Sequence, residues 1–98
     1  MHSIEWAAGL FEGEGYLDER AHAIHIQMTD RDVMEKFAEV LDYGEVRSYP
    51  AKPNRKALHR YHISRKSEVQ RILSAMLPYL GNRRAYKALN ILDDLELA

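Results

Sequence analysis

The feature that most limits how this chain can fold is a change of hydrophobic period that recurs along it. From Tyr16 to Met28 apolar and polar residues alternate: Leu17, Ile24, Ile26 and Met28 fall on one side, and Tyr16, Asp18, Arg20, Ala23, His25 and Gln27 on the other. This predicts a hairpin with a polar outer face, turning within a few residues around Glu19 to His22. "EVRSY" and "LHRYHIS" predict a second pair of strands, with Val46, Tyr61 and Ile63 inward and Arg47, Tyr49, Arg60 and His62 outward. A proline-containing connection from Pro50 to Lys56 joins them.

Helical spacing fills the rest. Ser3 to Gly13 reads as a helix with Trp6, Leu10 and Phe11 apolar and Gly9 and Gly13 on one side. "TDRDVMEKFAEVLDYG" opens with Thr29 and Asp32 in a capping arrangement, repeats Val33, Met34, Phe37, Val40 and Leu41, and stops at Gly44. "SEVQRILSAML" and, past Pro78 and Gly81, "RRAYKALNILDDLEL" complete the order αββαββαα. The class is α+β, organised as one domain over residues 1–98. A chain of 98 residues has a modest core, so association with a second copy would help it.

Charge then narrows the partner. The total is −1, yet residues 47–66 carry Arg47, Lys52, Arg55, Lys56, Arg60, Arg65 and Lys66 with no acid, which leaves −8 on the remainder. Such asymmetry reads as an anion-binding surface, against the plainer alternative of a solvated basic loop. Cysteine is absent, and nothing at the start resembles a cleavable signal, so an intracellular, cytoplasmic protein without disulfides or membrane partner is expected. No apolar run has membrane-spanning length. "HAIH" and "HRYH" offer His-x-x-His, but on a strand an offset of three sends the rings to opposite faces, which favours solvent or DNA contact over zinc. Trp6, Tyr79 and Tyr86 sit in helical patterns and read as core or interface aromatics. There is no Ser-His-Asp arrangement, phosphate-cradling glycine loop or nucleotide fingerprint, and no small-molecule substrate is indicated.

The first helix carries the sharpest signal. Two glycines inside it cost about 1 kcal/mol each against alanine, and Gly9-x-x-x-Gly13 brings both onto one face, where a second backbone can approach. Glu14 follows at the helix end, where two copies would bring carboxylates together.

"AAGLFEGEG", Ala7 to Gly15, resembles the LAGLIDADG motif of homing endonucleases: Ala8, Gly9, Leu10 and Gly15 match, and Glu12 and Glu14 stand at the family's aspartates. "IQMTDRD" and "LPYLGNRRAYKALNIL" extend the likeness along the chain. The resemblance implies a homodimer whose motif helices pack on a two-fold axis through Ala8, Gly9, Glu12 and Gly13, and a saddle of strands in the major groove of double-stranded DNA. It implies a site-specific endonuclease acting on a near-palindromic site with Mg²⁺ or Mn²⁺. Glu14 would bind metal at the scissile phosphates, Asp30 would line the active site, Arg83 would stand where relatives keep a lysine, and Glu12 would be structural. Tyr16, Asp18, Arg20, His25, Gln27, Arg47, Tyr49, Arg60 and His62 would face DNA, with Lys52, Arg55 and Lys56 added by the basic connection. Two departures bear on chemistry: Glu14 is one methylene longer than aspartate, and the Arg83 guanidinium stays protonated near neutrality where a lysine can exchange a proton. The short first hairpin also reaches fewer base pairs. A cleavage-deficient, sequence-specific DNA-binding protein, regulatory or maturase-like, is the alternative on the same fold; an α+β interaction module without nucleic acid is the third.

Overall fold

The structure, a computed structural model, describes residues 3–97. Helix α1 (Ile4–Glu14) starts at Ser3, whose Oγ accepts from the Trp6 amide at 3.2 Å, and buries Ala7, Ala8 and Phe11. It runs directly into β1 (Gly15–Asp18). A Cβ at Gly15 would collide with the Phe11 ring, so this glycine is required by close approach.

Strand β1 pairs with β2 (Ala23–Met28) through a turn that Asp18 closes, its Oδ1 accepting from the amides of Arg20 and Ala21, both at 3.0 Å. His22, at φ 53°, makes the left-handed step that completes it. Helix α2 (Arg31–Leu41) follows. Its capping position is Asp30, without a side-chain cap bond, so the expected Thr29 cap does not form. The helix also ends earlier than Gly44: Asp42 takes the left-handed conformation and donates its amide to Ala38 and Glu39, while Gly44 adopts φ 76° in the following turn.

Strands β3 (Arg47–Tyr49) and β4 (Leu58–Ile63) form the second hairpin. Helix α3 (Lys66–Met76) leads through one turn of 3₁₀ helix at Leu77–Tyr79, where Pro78 blocks continuation, to α4 (Asn82–Leu97). The predicted order αββαββαα is observed, with the four strands in one antiparallel sheet ordered β1-β2-β4-β3.

The helices cover one side of that sheet. Leu17, Ile24, Ile26, Tyr61 and Ile63 point into a core shared with Phe11, Met34, Phe37, Leu73, Met76 and Ile91. Phe37 meets Tyr61 edge-on at 5.4 Å, and the Tyr61 hydroxyl donates to the Tyr43 carbonyl at 2.6 Å. Burial raises the Tyr61 phenol above the ordinary tyrosine range, so the hydroxyl stays a donor. His59 also lies inward, hydrogen-bonded through Nδ1 to Ser48 Oγ at 2.8 Å, while His62 is exposed. Ala23 departs from its alternation: it is fully buried, at the closed end of the first hairpin opposite Asp18. Tyr79 and Tyr86 are exposed rather than core aromatics. Among the described residues no helix is long and apolar enough to cross a membrane.

Candidate nucleic-acid interface

Strand register orders the outer sheet face into rows. One runs Tyr16, His25, His62 across β1, β2 and β4; the next runs Gln27, Arg60, Arg47 across β2, β4 and β3. In the first row the two imidazoles stack at 4.3 Å and Tyr16 lies 5.9 Å from His25. Burial, followed by the neighbouring His62, pushes the His25 pKa below the ordinary histidine value, with Asp18 opposing. In the second row Arg60 Nε donates to Gln27 Oε1 at 3.2 Å, and the guanidinium lies 5.1 Å from the Tyr49 ring centroid. Two open concavities share Arg60. One of about 440 Å³ is lined by Glu14, Tyr16, Asp18, His25 and Gln27; the other, about 520 Å³, by Arg47, Tyr49, His62 and their neighbours.

Lys52 and Arg55 exchange backbone hydrogen bonds of 2.8 and 3.0 Å around Pro53 and Asn54, a small ladder that presents Lys52, Arg55 and Lys56 to solvent. Arg20 is likewise exposed, on the opposite hairpin. Asp18 differs from its expected use. Its carboxylate is committed to the turn, and the amides of Ala21 and then Arg20 hold its pKa below the ordinary aspartate value.

Two carboxylates at the end of α1 have opposite fates. Glu12 turns toward α4, where Oε1 accepts from the Gly81 amide at 2.5 Å and Oε2 from Arg84 Nη1 at 2.7 Å. The Gly81 amide first, then Arg84, lowers its pKa. Arg84 Nη2 also donates to the Gly15 carbonyl at 2.8 Å. Glu14, the last residue of α1, is exposed, and its carboxylate makes no hydrogen bond or ion pair among the described residues.

The sequence model of the LAGLIDADG-like domain matches residues 3–76. The chain belongs to the LAGLIDADG-like family. No curated protein matches it. Among solved structures it is similar to the homing endonuclease I-CvuI in complex with the I-CreI target (C1221) at 2 mM Mg, in which the DNA is not cleaved. That likeness has TM-score 0.75 at 17% identity and covers 95% of this chain and 65% of that one. It is similar also to I-CvuI in complex with its target (Sro1.3) at 2 mM Ca, with TM-score 0.72, 18% identity and the same coverage. The likeness is one of fold, and the chain spans 65% of the length of that relative.

Within the LAGLIDADG segment the helix divides by face. Ala8, expected at a dimer interface, is fully buried in its own chain's core, because the helix must cover the sheet. Glu12, expected there too, spends its carboxylate on α4. Gly9 and Gly13 are exposed, and an added Cβ at either would meet nothing within 4 Å. Nothing inside the chain therefore requires those glycines.

Neither of the remaining motif-linked residues lines the Glu14 concavity. Asp30, exposed at the start of α2, is outside the lining of the Glu14 concavity. Arg83, also exposed, lines a separate small hollow with Gly15, Tyr16, Leu17, Arg84 and Lys87. Sequence reasoning missed Arg84 and Lys87. A signal for Arg84 existed: it stands at helical spacing from the buried Ala88, Ile91 and Leu95, and a basic residue on a core-facing stripe needs a partner. Among the described residues no group of three or more His, Cys, Asp or Glu forms a metal cage. The free, hard oxygen donors of Glu14 fit instead a Mg²⁺-type site of one or two carboxylates completed by substrate phosphates and water.

Proposed function

We propose that this chain is a site-specific DNA endonuclease that works as a homodimer on a near-palindromic duplex with Mg²⁺ or Mn²⁺. The observation that carries the reading is the unpartnered Glu14 carboxylate at the rim of the Gln27, Arg60 and His25 face. The I-CvuI relatives are described in complex with DNA targets in the presence of Mg or Ca, which agrees with a divalent ion in this role. The open face of Gly9 and Gly13 supports self-association through α1, which would bring two Glu14 carboxylates and two sheets together.

Each residue then has a defined task. Glu14 supplies oxygen ligands beside the scissile phosphate. Glu14 would hold a divalent ion there, which when bound would supply a nucleophilic water near neutral pH and stabilise the leaving oxygen. Arg83 offsets negative charge on the phosphate. Asp30 orders water from the α2 side. Gln27, Arg60 and Arg47 carry the forked donors and acceptors that read base edges in a major groove, with Tyr16, Tyr49, His25 and His62 alongside. Arg20, Lys52, Arg55 and Lys56 meet phosphates.

A second reading, a DNA-binding protein that has lost cleavage, is favoured by one observation: Asp30 and Arg83 do not share the Glu14 concavity. Incubating the protein with a library of sites selected for binding in Ca²⁺, then adding Mg²⁺ or Mn²⁺, separates the two. Double-strand cutting is expected; binding without cutting in either metal would leave the second reading.

A further inference from the structure

The geometry points to Arg84 as the positioning residue of the metal-binding carboxylate, an inference that rests on the reading of Glu14 above. Arg84 makes no bond to Glu14 among the described residues, but it grips the chain on both sides of it. One arm of its guanidinium holds Glu12 Oε2 at 2.7 Å and the other holds the Gly15 carbonyl at 2.8 Å. The side chain is only 15% exposed, and the Gly81 amide takes the other oxygen of Glu12.

The physical need is clear. Helix ends leave carbonyls unsatisfied and fray, and Glu14 is the last helical residue, with nothing of its own to hold it. A planar fork that joins residues 12 and 15 to α4 fixes the backbone from which the Glu14 side chain departs. Mg²⁺ demands near-ideal geometry, and groups that orient a ligand rather than touch the ion typically change metal affinity by about 10- to 100-fold when removed. Gly81 belongs to the same device. A Cβ there would come within 3.1 Å of Glu12 Oε1, so alanine would push the carboxylate aside.

Binding of Mn²⁺ to the protein–DNA complex, read by the loss of the free-ion electron paramagnetic resonance signal, tests this without requiring turnover. Arg84→Lys keeps the charge and loses the fork; it is expected to weaken Mn²⁺ binding by about tenfold or more while DNA affinity without metal holds. Gly81→Ala should shift it in the same direction by less, and Glu12→Gln should follow. In single-turnover cleavage the Mg²⁺ concentration for half-maximal rate should rise more than the rate at saturating Mg²⁺ falls, a split that lowered stability alone would not produce. Mn²⁺ binding lost in Glu14→Gln but unchanged in folded Arg84→Lys would overturn this inference alone. Wild-type Mn²⁺ binding in Glu14→Gln would overturn the metal role of Glu14, and this inference with it. Should Arg84→Lys fail to fold, unchanged Mn²⁺ affinity in both Gly81→Ala and Glu12→Gln overturns it.

Discussion

The two hairpins of the sheet use their polar residues in opposite ways. The β1–β2 tip is tied to α4: Glu19 accepts from Asn90 at 3.2 Å, His22 meets Asp94 at 3.3 Å, and Asp18 is consumed by the turn. The β3–β4 connection makes its only described cross-turn bonds through its own backbone, and Arg47, Lys52 and Lys56 form no ion pair among the described residues. One hairpin uses its charges to fix its position. The other leaves Arg47, Lys52 and Lys56 without an ion pair among the described residues. That contrast explains why a chain of net charge −1 still presents a cationic edge.

The contrast breaks first, and most visibly, on DNA. Removing Lys52, Arg55 and Lys56 together should reduce the slope of log affinity against log salt by about 0.9 for each phosphate that is no longer neutralised. The thermal midpoint should barely move, since these are exposed groups away from the core. Filter binding across a salt series, with a melting curve alongside, measures both; an unchanged slope would mean the second hairpin does not meet phosphate.

A smaller effect sharpens the structural half of the contrast. Gly15→Ala forces a methyl into the Phe11 ring and should cost about 1–3 kcal/mol by overpacking. Gly9→Ala meets no atom of its own chain and should stabilise the monomer by up to about 1 kcal/mol through helix propensity. If α1 is the dimer contact, Gly9→Ala should nevertheless weaken self-association in sedimentation. A variant that is more stable and equally dimeric would remove Gly9 from the interface.

The smallest expected effect concerns pH. The His25 pKa is lowered on folding, so the native state takes up its proton less readily than the unfolded chain. Its stabilisation is complete above the ordinary value of 6.5 and is lost as pH falls through the depressed folded value. Replacing His25 with glutamine should flatten this decline in denaturant titrations across that window; an unchanged profile would mean that burial and the neighbouring His62 give His25 no such coupling to folding.

Much of this was legible in the chain. The element order followed from the change of period, and the outer rows from alternation, because side-chain direction on a strand is a local property. What alternation could not supply was which partner a polar side chain finds. Asp18 and His25 share a predicted face, yet one satisfies turn amides and the other stacks on a ring 37 positions away in sequence. The Glu12 carboxylate finds its two donors 69 and 72 residues along. Thr29 and Gly44 had the right residue types for helix ends but lay one and two positions outside the caps the backbone uses, at Asp30 and Asp42. Ala8 faces its own chain's core because a motif names residues, not faces, and a helix laid on a sheet must bury one side.

The most direct test of the central claim is single-turnover cleavage of a selected duplex by wild type and Glu14→Gln, with affinity measured in Ca²⁺. The substitution preserves size and hydrogen bonding and removes the charge that holds a cation. Cleavage by wild type, a loss of orders of magnitude in Glu14→Gln and near-equal Ca²⁺-supported affinity are predicted; cutting by Glu14→Gln at the wild-type rate would contradict the account.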